Sequence, residues 1–278
     1  MQRDEIAMKL DLSRSWSEAT GMLRANRELV FIIAGLFLFL PFLAFFLHLA
    51  GDETANLSRG AQRTPEETNQ AVQAFFEANW WALLLLGLAQ LSGAIALIKV
   101  LADASRPTVK MAMAAVPILL LPMIGTQLLS SLAAQVPMLL VALLPTAAAG
   151  LAAVLALGLV FYLTIRFSLV SPALVLNDWR NPIAAMWESW SATKGNSLRL
   201  LAFFALLLVA GLVLFFVTGL FFGLLFALLG ERGAQIASSL FYAFFFAAVY
   251  TIAYAVIAAI YRQLTAVGAA SVPRAGDV

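Results

Sequence analysis

Long uninterrupted apolar segments dominate the pattern of hydrophobic and polar positions along this chain. Between Lys110 and Arg166 lie 55 residues without one Asp, Glu, Lys, Arg or His. An α-helix needs about 20 apolar residues to cross the hydrocarbon core of a bilayer, so this run is long enough for two crossings. Four further apolar segments supply one crossing each; they cover residues 29 to 51, 78 to 98, 200 to 230 and 233 to 261. The pattern predicts an all-α fold, a polytopic bundle of six transmembrane helices.

Composition agrees with a membrane location. Hydrophobic residues make up 63% of the 278 residues and charged residues only 12%, which is outside the range of soluble domains. Cysteine is absent from the sequence, and this excludes disulfides, thiolate catalysis and cysteine-based metal sites. No basic run is dense enough to indicate nucleic acid, so membrane lipids are the expected partners.

The distribution of basic residues predicts the orientation. Fourteen of the seventeen Lys and Arg residues fall on one side of the predicted bundle, and only Arg59, Arg63 and Arg232 fall on the other. Basic loops stay preferentially in the cytoplasm, and an even number of helices returns both termini to the same side. We therefore expect both termini to be cytoplasmic. The predicted organisation is a cytoplasmic arm (1–28), a transmembrane domain (29–266) with an external loop (52–77) and a cytoplasmic connector (177–199), and a cytoplasmic tail (267–278).

Short amphipathic helices are predicted on the cytoplasmic side. In residues 12 to 27, Leu12, Trp16, Ala19 and Leu23 recur at helical spacing and form one apolar stripe, which is typical of a helix lying on the membrane. A weaker example of such a helix begins near Ser105.

A second strong case follows the fourth crossing. There Asn181 is a natural N-cap and Pro182 suits the first helical position. Ile183, Met186, Trp187 and Trp190 are predicted to line one face at the level of the lipid headgroups.

The two strong cases resemble each other locally. Trp16-Ser17-Glu18-Ala19-Thr20-Gly21 is loosely matched by Trp190-Ser191-Ala192-Thr193-Lys194-Gly195. One interpretation is an internal repeat, in which an interfacial helix precedes a two-helix hairpin, with three starts near 12, 105 and 182. The alternative is that similar constraints at a membrane boundary produced the same pattern without duplication.

Few polar residues are placed for chemistry. His48 is expected at the external end of the first crossing as an interfacial imidazole. Arg166 either extends to lipid phosphates or faces the bundle interior, and the first alternative is favoured. Asp178, Arg180 and Glu188 belong to a polar cluster that is expected to be a solvated connector. We predict no catalytic residue, no metal site and no cofactor.

Gly219 and Gly223 form a small-xxx-small pattern within the fifth crossing. Such spacing permits two helix backbones to approach closely. Packing within the monomer is the expectation, and a homodimer through this face is the alternative.

One stretch carries a resemblance to a known family. The segment from Arg166 to Leu176, continued from Asn181 through Trp190 to Asn196, resembles the membrane-domain family of glycerophosphoryl diester phosphodiesterases and related bacterial six-helix inner-membrane proteins. In that family an Arg near the end of helix four, a Pro soon after it and an Ala-x-x-x-Ser-Trp helix recur, and here they correspond to Arg166, Pro172 and Ala185 through Trp190. The resemblance implies the six-helix fold and a bacterial inner-membrane location.

Family members that gave the name carry a soluble phosphodiesterase barrel after such a domain. This chain ends soon after the sixth crossing and has one histidine, so no phosphodiesterase residue is carried over. The first hypothesis is a non-enzymatic multi-pass protein, an envelope- or lipid-associated scaffold or accessory protein that contacts lipid or a partner protein at its cytoplasmic face. The alternative is a transporter or permease subunit, and an intramembrane enzyme acting on lipid headgroups has the least support. The candidate lipid or interface residues are Trp16, Arg166, Asp178, Arg180, Trp187, Glu188 and Trp190.

Overall fold

The computed structural model of the chain describes residues 10–51, 64–103 and 108–270, which are almost entirely helical. Ten α-helices follow one another in these ranges: α1 (Leu12–Ala25), α2 (Arg27–Ala34), α3 (Leu40–Ala50), α4 (Pro65–Ala102), α5 (Val109–Val141), α6 (Thr146–Arg166), α7 (Val170–Leu176), α8 (Pro182–Ala192), α9 (Ser197–Phe226) and α10 (Gly230–Ala270). A π-helical turn, Gly35–Phe39, joins α2 to α3 without a break.

Among the described residues, five helical stretches are long and apolar enough to cross a membrane: Arg27–Ala50, Glu66–Ala102, Val109–Val141, Ala148–Leu176 and Ser197–Thr265. This confirms a polytopic helical membrane protein. The last stretch is 69 residues long and includes both α9 and α10. The 3₁₀ turn Ala227–Leu229 lies between them, and Gly230, the first residue of α10, has a φ of +71°, which suits glycine because it has no Cβ. The number of six crossings remains a prediction, which this break supports.

The polar stretch predicted as an external loop at 52–77 differs from the expectation in its second half. Residues 52 to 63 lie outside the described residues, but α4 already begins at Pro65. A capping box starts this helix, because Thr64 Oγ1 accepts from Glu67 N at 3.2 Å and Glu67 Oε2 accepts from Thr64 N at 2.8 Å. The helix therefore starts well before its apolar part.

The described residues divide into two compact units. Unit 1 contains residues 10–29, 94–208 and 252–270, and unit 2 contains residues 30–93 and 209–251, in each case within the described ranges. Unit 1 contains the short helices α1, α7 and α8.

Aromatic rings hold unit 2 together. Phe42 of α3 stacks on Phe246 of α10 with 5.6 Å between ring centroids, and Phe215 of α9 meets Phe245 edge to face at 5.0 Å. A Cβ on Gly93 of α4 would lie 3.0 Å from Phe37 Cβ, so glycine is what lets α4 approach the π-helical turn closely.

His48 has a partner that its sequence position did not reveal. Its Nε2 lies 2.9 Å from Oδ1 of Asn79, which is fully buried, and its ring meets Trp81 at 5.0 Å between centroids. The side chain is thus part of a helix contact within unit 2.

In unit 1, α5 and α6 form an antiparallel hairpin whose turn at 142–145 lies within the interval 131–150, where the sequence predicts that the long apolar run turns back. Helix α5 has 33 residues and α6 has only 21. By length, α6 can therefore pair with α5 from Val141 back to about Leu121, and the first part of α5 extends past the end of α6. Helix α7 lies back alongside α5, because Gln127 Nε2 donates to Ser171 Oγ at 3.3 Å.

The weaker amphipathic helix predicted near Ser105 is only partly covered. Residues 104 to 107 lie outside the described residues. Helix α5 begins at Val109, and Thr108 caps it by accepting from Met111 N at 3.4 Å. Its first part, which extends past α6, continues into the apolar crossing as one helix.

Candidate functional site

Polar and aromatic side chains of unit 1 gather around the segment that links α6 to α9. We call this set the polar junction; it consists of Lys99, Arg166, Asn177, Asp178, Ser189, Trp190, Thr193 and Asn196.

Arg166 occupies the centre of the polar junction and is 4% exposed. Its guanidinium carbon lies 4.1 Å from the Trp190 ring centroid and 5.7 Å from that of Tyr162, and its Nη1 donates to Thr193 Oγ1 at 3.2 Å. Nε has no hydrogen-bond partner. The expectation that Arg166 extends to lipid phosphates is therefore wrong, because the electron-rich faces of two rings hold the cation inside the bundle.

Ser189 stabilises the interruption between helices α6 and α7. Its hydroxyl donates to the Arg166 carbonyl at 2.7 Å and accepts from Leu169 N at 3.2 Å. A helix end leaves such backbone groups without intrahelical partners. One fully buried side chain of α8 satisfies one group on each side of the break.

Helix α8 begins as the sequence predicted. Asn181 Oδ1 accepts from Ile183 N at 3.0 Å, and Pro182 occupies the first helical position. The predicted lining residues divide differently, however. Trp187 is 72% exposed and Ile183 is also exposed, whereas Trp190 turns inward to cover Arg166.

Small residues form the inward face of α8. Ala185, Ser189 and Thr193 follow one another at intervals of four residues and are fully buried. Small side chains are typical of helix contacts in membranes, because they allow backbones to come close. The outward face then carries the large apolar side chains.

Lys99 is a second buried cation of the polar junction, at 7% exposure. Its Nζ lies 2.8 Å from Asp178 Oδ1 and 3.2 Å from Asp103 Oδ2. Asp178 has a φ of +53°, a left-handed conformation that few residues other than glycine, Asn and Asp adopt readily. The solvated connector predicted for Asp178 is thus only half correct, since its exposed carboxylate is tied to a buried lysine.

Helix α10 reaches the polar junction through Tyr261. Asn177 Nδ2 donates to the Tyr261 hydroxyl at 2.7 Å and to the Ala173 carbonyl at 2.8 Å. Helix α7 is thereby fixed at its end, and nearly all its residues are buried.

The N-terminal helix is joined to the same region. Asn196 Oδ1 accepts from Leu10 N at 2.9 Å, Ser15 Oγ lies 2.6 Å from the Gln263 amide, and Glu18 pairs with Arg262 at 3.3 Å. These contacts bring α1 against α9 and α10.

The apolar stripe predicted for α1 is only partly buried. Its member Ala19 is buried together with Ser15 and Met22, whereas Trp16 is 42% exposed and Leu12 and Leu23 are partly covered. Trp16 thus points outward, as Trp187 does on α8.

The proposed repeat gains support from burial. When Trp16 is aligned with Trp190, buried Ser15, Ala19 and Met22 fall on Ser189, Thr193 and Asn196, which are all buried as well. The local sequence match therefore extends to which positions face the protein.

Two other candidate residues lie at the edge of the polar junction. Glu188 is partly buried on α8, and Arg180 is exposed just before that helix. Arg180 lies at an apolar groove of about 360 Å³ lined mainly by α5.

The two candidate packing glycines lie in unit 2 and behave differently. A Cβ on Gly219 would come 3.9 Å from the Phe241 ring, whereas one on Gly223 would meet nothing within 4 Å. Of these two glycines, only Gly219 thus lies near a neighbouring helix within the described residues.

Two residues that matter for the polar junction were not singled out from the sequence. Lys99 belongs to it and Tyr261 contacts it, and the partners of both lie far away in the chain. The only available signal was their position, a polar residue at the end of an apolar segment.

These features define a multi-pass helical membrane domain with a polar junction at one end of unit 1. The sequence model of the membrane domain of glycerophosphoryl diester phosphodiesterase matches residues 104–267, which is more than half of the chain. The chain belongs to this family. No curated protein and no solved structure matches this chain.

Proposed function

We propose that this protein is a non-enzymatic membrane scaffold that contacts lipid or a partner protein through α1 and α8. The observation that carries this proposal is the division of side chains on these two helices. Ser15, Ala19, Ala185 and Ser189 are buried against the protein, while Trp16, Ile183 and Trp187 are exposed. Aromatic and aliphatic side chains at a membrane boundary favour contact with headgroups, acyl chains or another apolar surface.

The buried charges of the polar junction favour a structural role over a chemical one. Arg166 is covered by Trp190, and Lys99 is held between two carboxylates. A general acid or base has to reach a bound substrate. These groups instead join helices of unit 1.

The scaffold proposal is tested by mass spectrometry of lipid and protein that copurify in mild detergent. We expect a defined lipid or partner that the double variant Ile183→Ser, Trp187→Ser loses. The matched control is Ile252→Ser, which alters an exposed aliphatic residue of α10. Equal retention by all three proteins would contradict the proposal.

The absence of catalysis is tested separately. Purified protein with glycerophosphocholine and a divalent metal ion should release no glycerol phosphate above a detergent blank. Turnover that survives repurification and disappears in Asp178→Ala or Glu188→Ala would overturn the non-enzymatic assignment.

We further propose a bacterial inner-membrane location with both termini in the cytoplasm, supported by the excess of basic residues on one side. A reporter active only in the periplasm should function when inserted near Thr64 and fail when fused after Val278. The reverse result would invert the topology.

A further inference from the structure

The groove beside Arg180 is formed where the start of α8 meets α5. Its lining consists mainly of Leu121, Pro122, Gly125 and Leu128 of α5, together with Arg180 and Pro182. Gly125 has no side chain, and a Cβ there would lie 3.6 Å from Pro182. The groove has a volume of about 360 Å³, within the size range of small-molecule sites.

Arg180 is the charged member of this apolar lining. Within the described residues, Lys99 and Arg262 have carboxylate partners and Arg166 has aromatic ones, but Arg180 is exposed and forms no ion pair. A guanidinium offers a fork of donors that matches a phosphate, with two parallel hydrogen bonds. The site thus fits a molecule that is anionic at one end and apolar along its length.

The position of the groove agrees with such an occupant. It lies beside the segment that follows α6, because Gly125 is close to Pro182 and Gln127 Nε2 donates to Ser171 Oγ. From Leu121 to Leu128 the helix advances about 10 Å toward the apolar interior. Leu128 is 60% exposed and Leu132, one turn further, is 61% exposed, so the apolar surface continues beyond the groove.

We propose that this groove binds one phospholipid from the surrounding bilayer, with its phosphate on Arg180 and one acyl chain along α5 from Pro122 to Leu128. This inference deepens the scaffold function and rests on it, since it names a lipid class and the residues that hold it. The phosphate supplies the negatively charged partner that Arg180 lacks, and the acyl chain covers the exposed leucine surface of α5.

Native mass spectrometry of delipidated protein tests the proposal. We expect saturable binding of one phosphatidylglycerol, weakened about tenfold by Arg180→Gln, because a hydrogen-bonded charge pair is lost. The control Arg24→Gln, on an exposed arginine of α1, should bind as tightly as the wild type. Diacylglycerol with the same chains and free glycerol 3-phosphate each supply half of the ligand and should both bind weakly.

A second pair of variants tests the acyl-chain part. Leu128→Trp fills the groove from its exposed wall and should also weaken phosphatidylglycerol binding about tenfold. Leu132→Trp places the same ring one turn away, outside the groove, and should leave binding unchanged. All variants should share the thermal unfolding midpoint of the wild type.

Three results would overturn the site: no saturable binding, equal losses in Arg180→Gln and Arg24→Gln, or equal losses in the two tryptophan variants. A site for free phosphate alone would appear as glycerol 3-phosphate binding as tightly as the lipid, which also contradicts the proposal. Copurification through α8 is measured on other residues, so a failure of the groove and a failure of the scaffold function can be told apart.

Discussion

Different interactions stabilise each of the two units of this protein. In unit 2, rings pack on rings, as Phe42 does on Phe246. In unit 1, donors and charges bind specific polar or aromatic partners, as Arg166 and Lys99 do. Lipid tails are as apolar as Phe, so burial in the bilayer gains little and the fit of shapes must hold unit 2. Hydrogen bonds and ion pairs have direction, and they fix the short helices of unit 1 in place.

The largest loss of stability is expected when the ring that covers Arg166 is removed. Trp190→Ala should destabilise the protein by about 3–5 kcal/mol, because it removes the nearer of the two rings that cover a buried cation and leaves a cavity beside it. Unfolding of the purified protein in mixed detergent micelles measures this loss. Replacing Arg166 by Met in the same variant should recover part of it.

Trp187→Ala is the matched control for that experiment. It alters the same residue type on the same helix, but at an exposed position, so we expect a change within about 0.5 kcal/mol. If the two alanine variants were equally stable, Trp190 would not be compensating the charge.

A smaller effect is expected from the ring cluster of unit 2. Phe246 contacts Phe42, Phe46, Phe215 and Phe245, and Phe246→Ala should cost about 2 kcal/mol through lost ring contacts. Phe246→Leu should recover about half of this loss of stability, because apolar packing in unit 2 depends on the shape of the side chain and not on directional interactions. The same unfolding assay applies.

Phe244→Ala serves as the control in unit 2, since Phe244 is 67% exposed. It should leave stability nearly unchanged. A larger loss for Phe244→Ala than for Phe246→Ala would contradict the role of ring packing.

The smallest effect separates two ion pairs of unit 1. Asp178→Asn keeps a residue that tolerates the left-handed conformation but removes one partner of Lys99, which retains Asp103. We expect a loss of about 1 kcal/mol. Glu18→Gln breaks a pair with Arg262, which is more exposed than Lys99, and should cost less than about 0.5 kcal/mol in the same assay. A larger loss of stability for Glu18→Gln than for Asp178→Asn would show that burial of Lys99 does not strengthen its ion pairs.

The sequence predicted the long apolar helices of a multi-pass membrane protein and the residue at which α8 begins. Length and hydropathy decide a crossing, and Asn181 with Pro182 forms a local start signal whose partners lie within one turn. The hairpin turn after Val141 was located only within a broad interval, because the whole run is apolar.

The sequence predicted that α1 and α8 present large apolar side chains to the membrane, but it did not show which of their residues face the protein. In a soluble protein the apolar stripe faces the core, but here lipid is the apolar solvent and attracts Trp16 and Trp187 outward. The inward faces consist of small residues such as Ser15 and Ser189, which carry little hydrophobic signal. Arg166 was misplaced for a related reason, since its aromatic partner Trp190 becomes a neighbour only through the fold.

The contacts of α1 with the end of α10 constrain the order of events during biosynthesis. Ser15 and Gln263 are separated by 248 residues, and the ribosome delivers the first of them long before the second. Until then α1 has no access to Arg262 or Gln263, and its exposed Trp16 suits it to rest on the bilayer surface meanwhile. A nascent chain halted just before Arg262 has synthesised all its apolar helices but lacks the contact that completes unit 1.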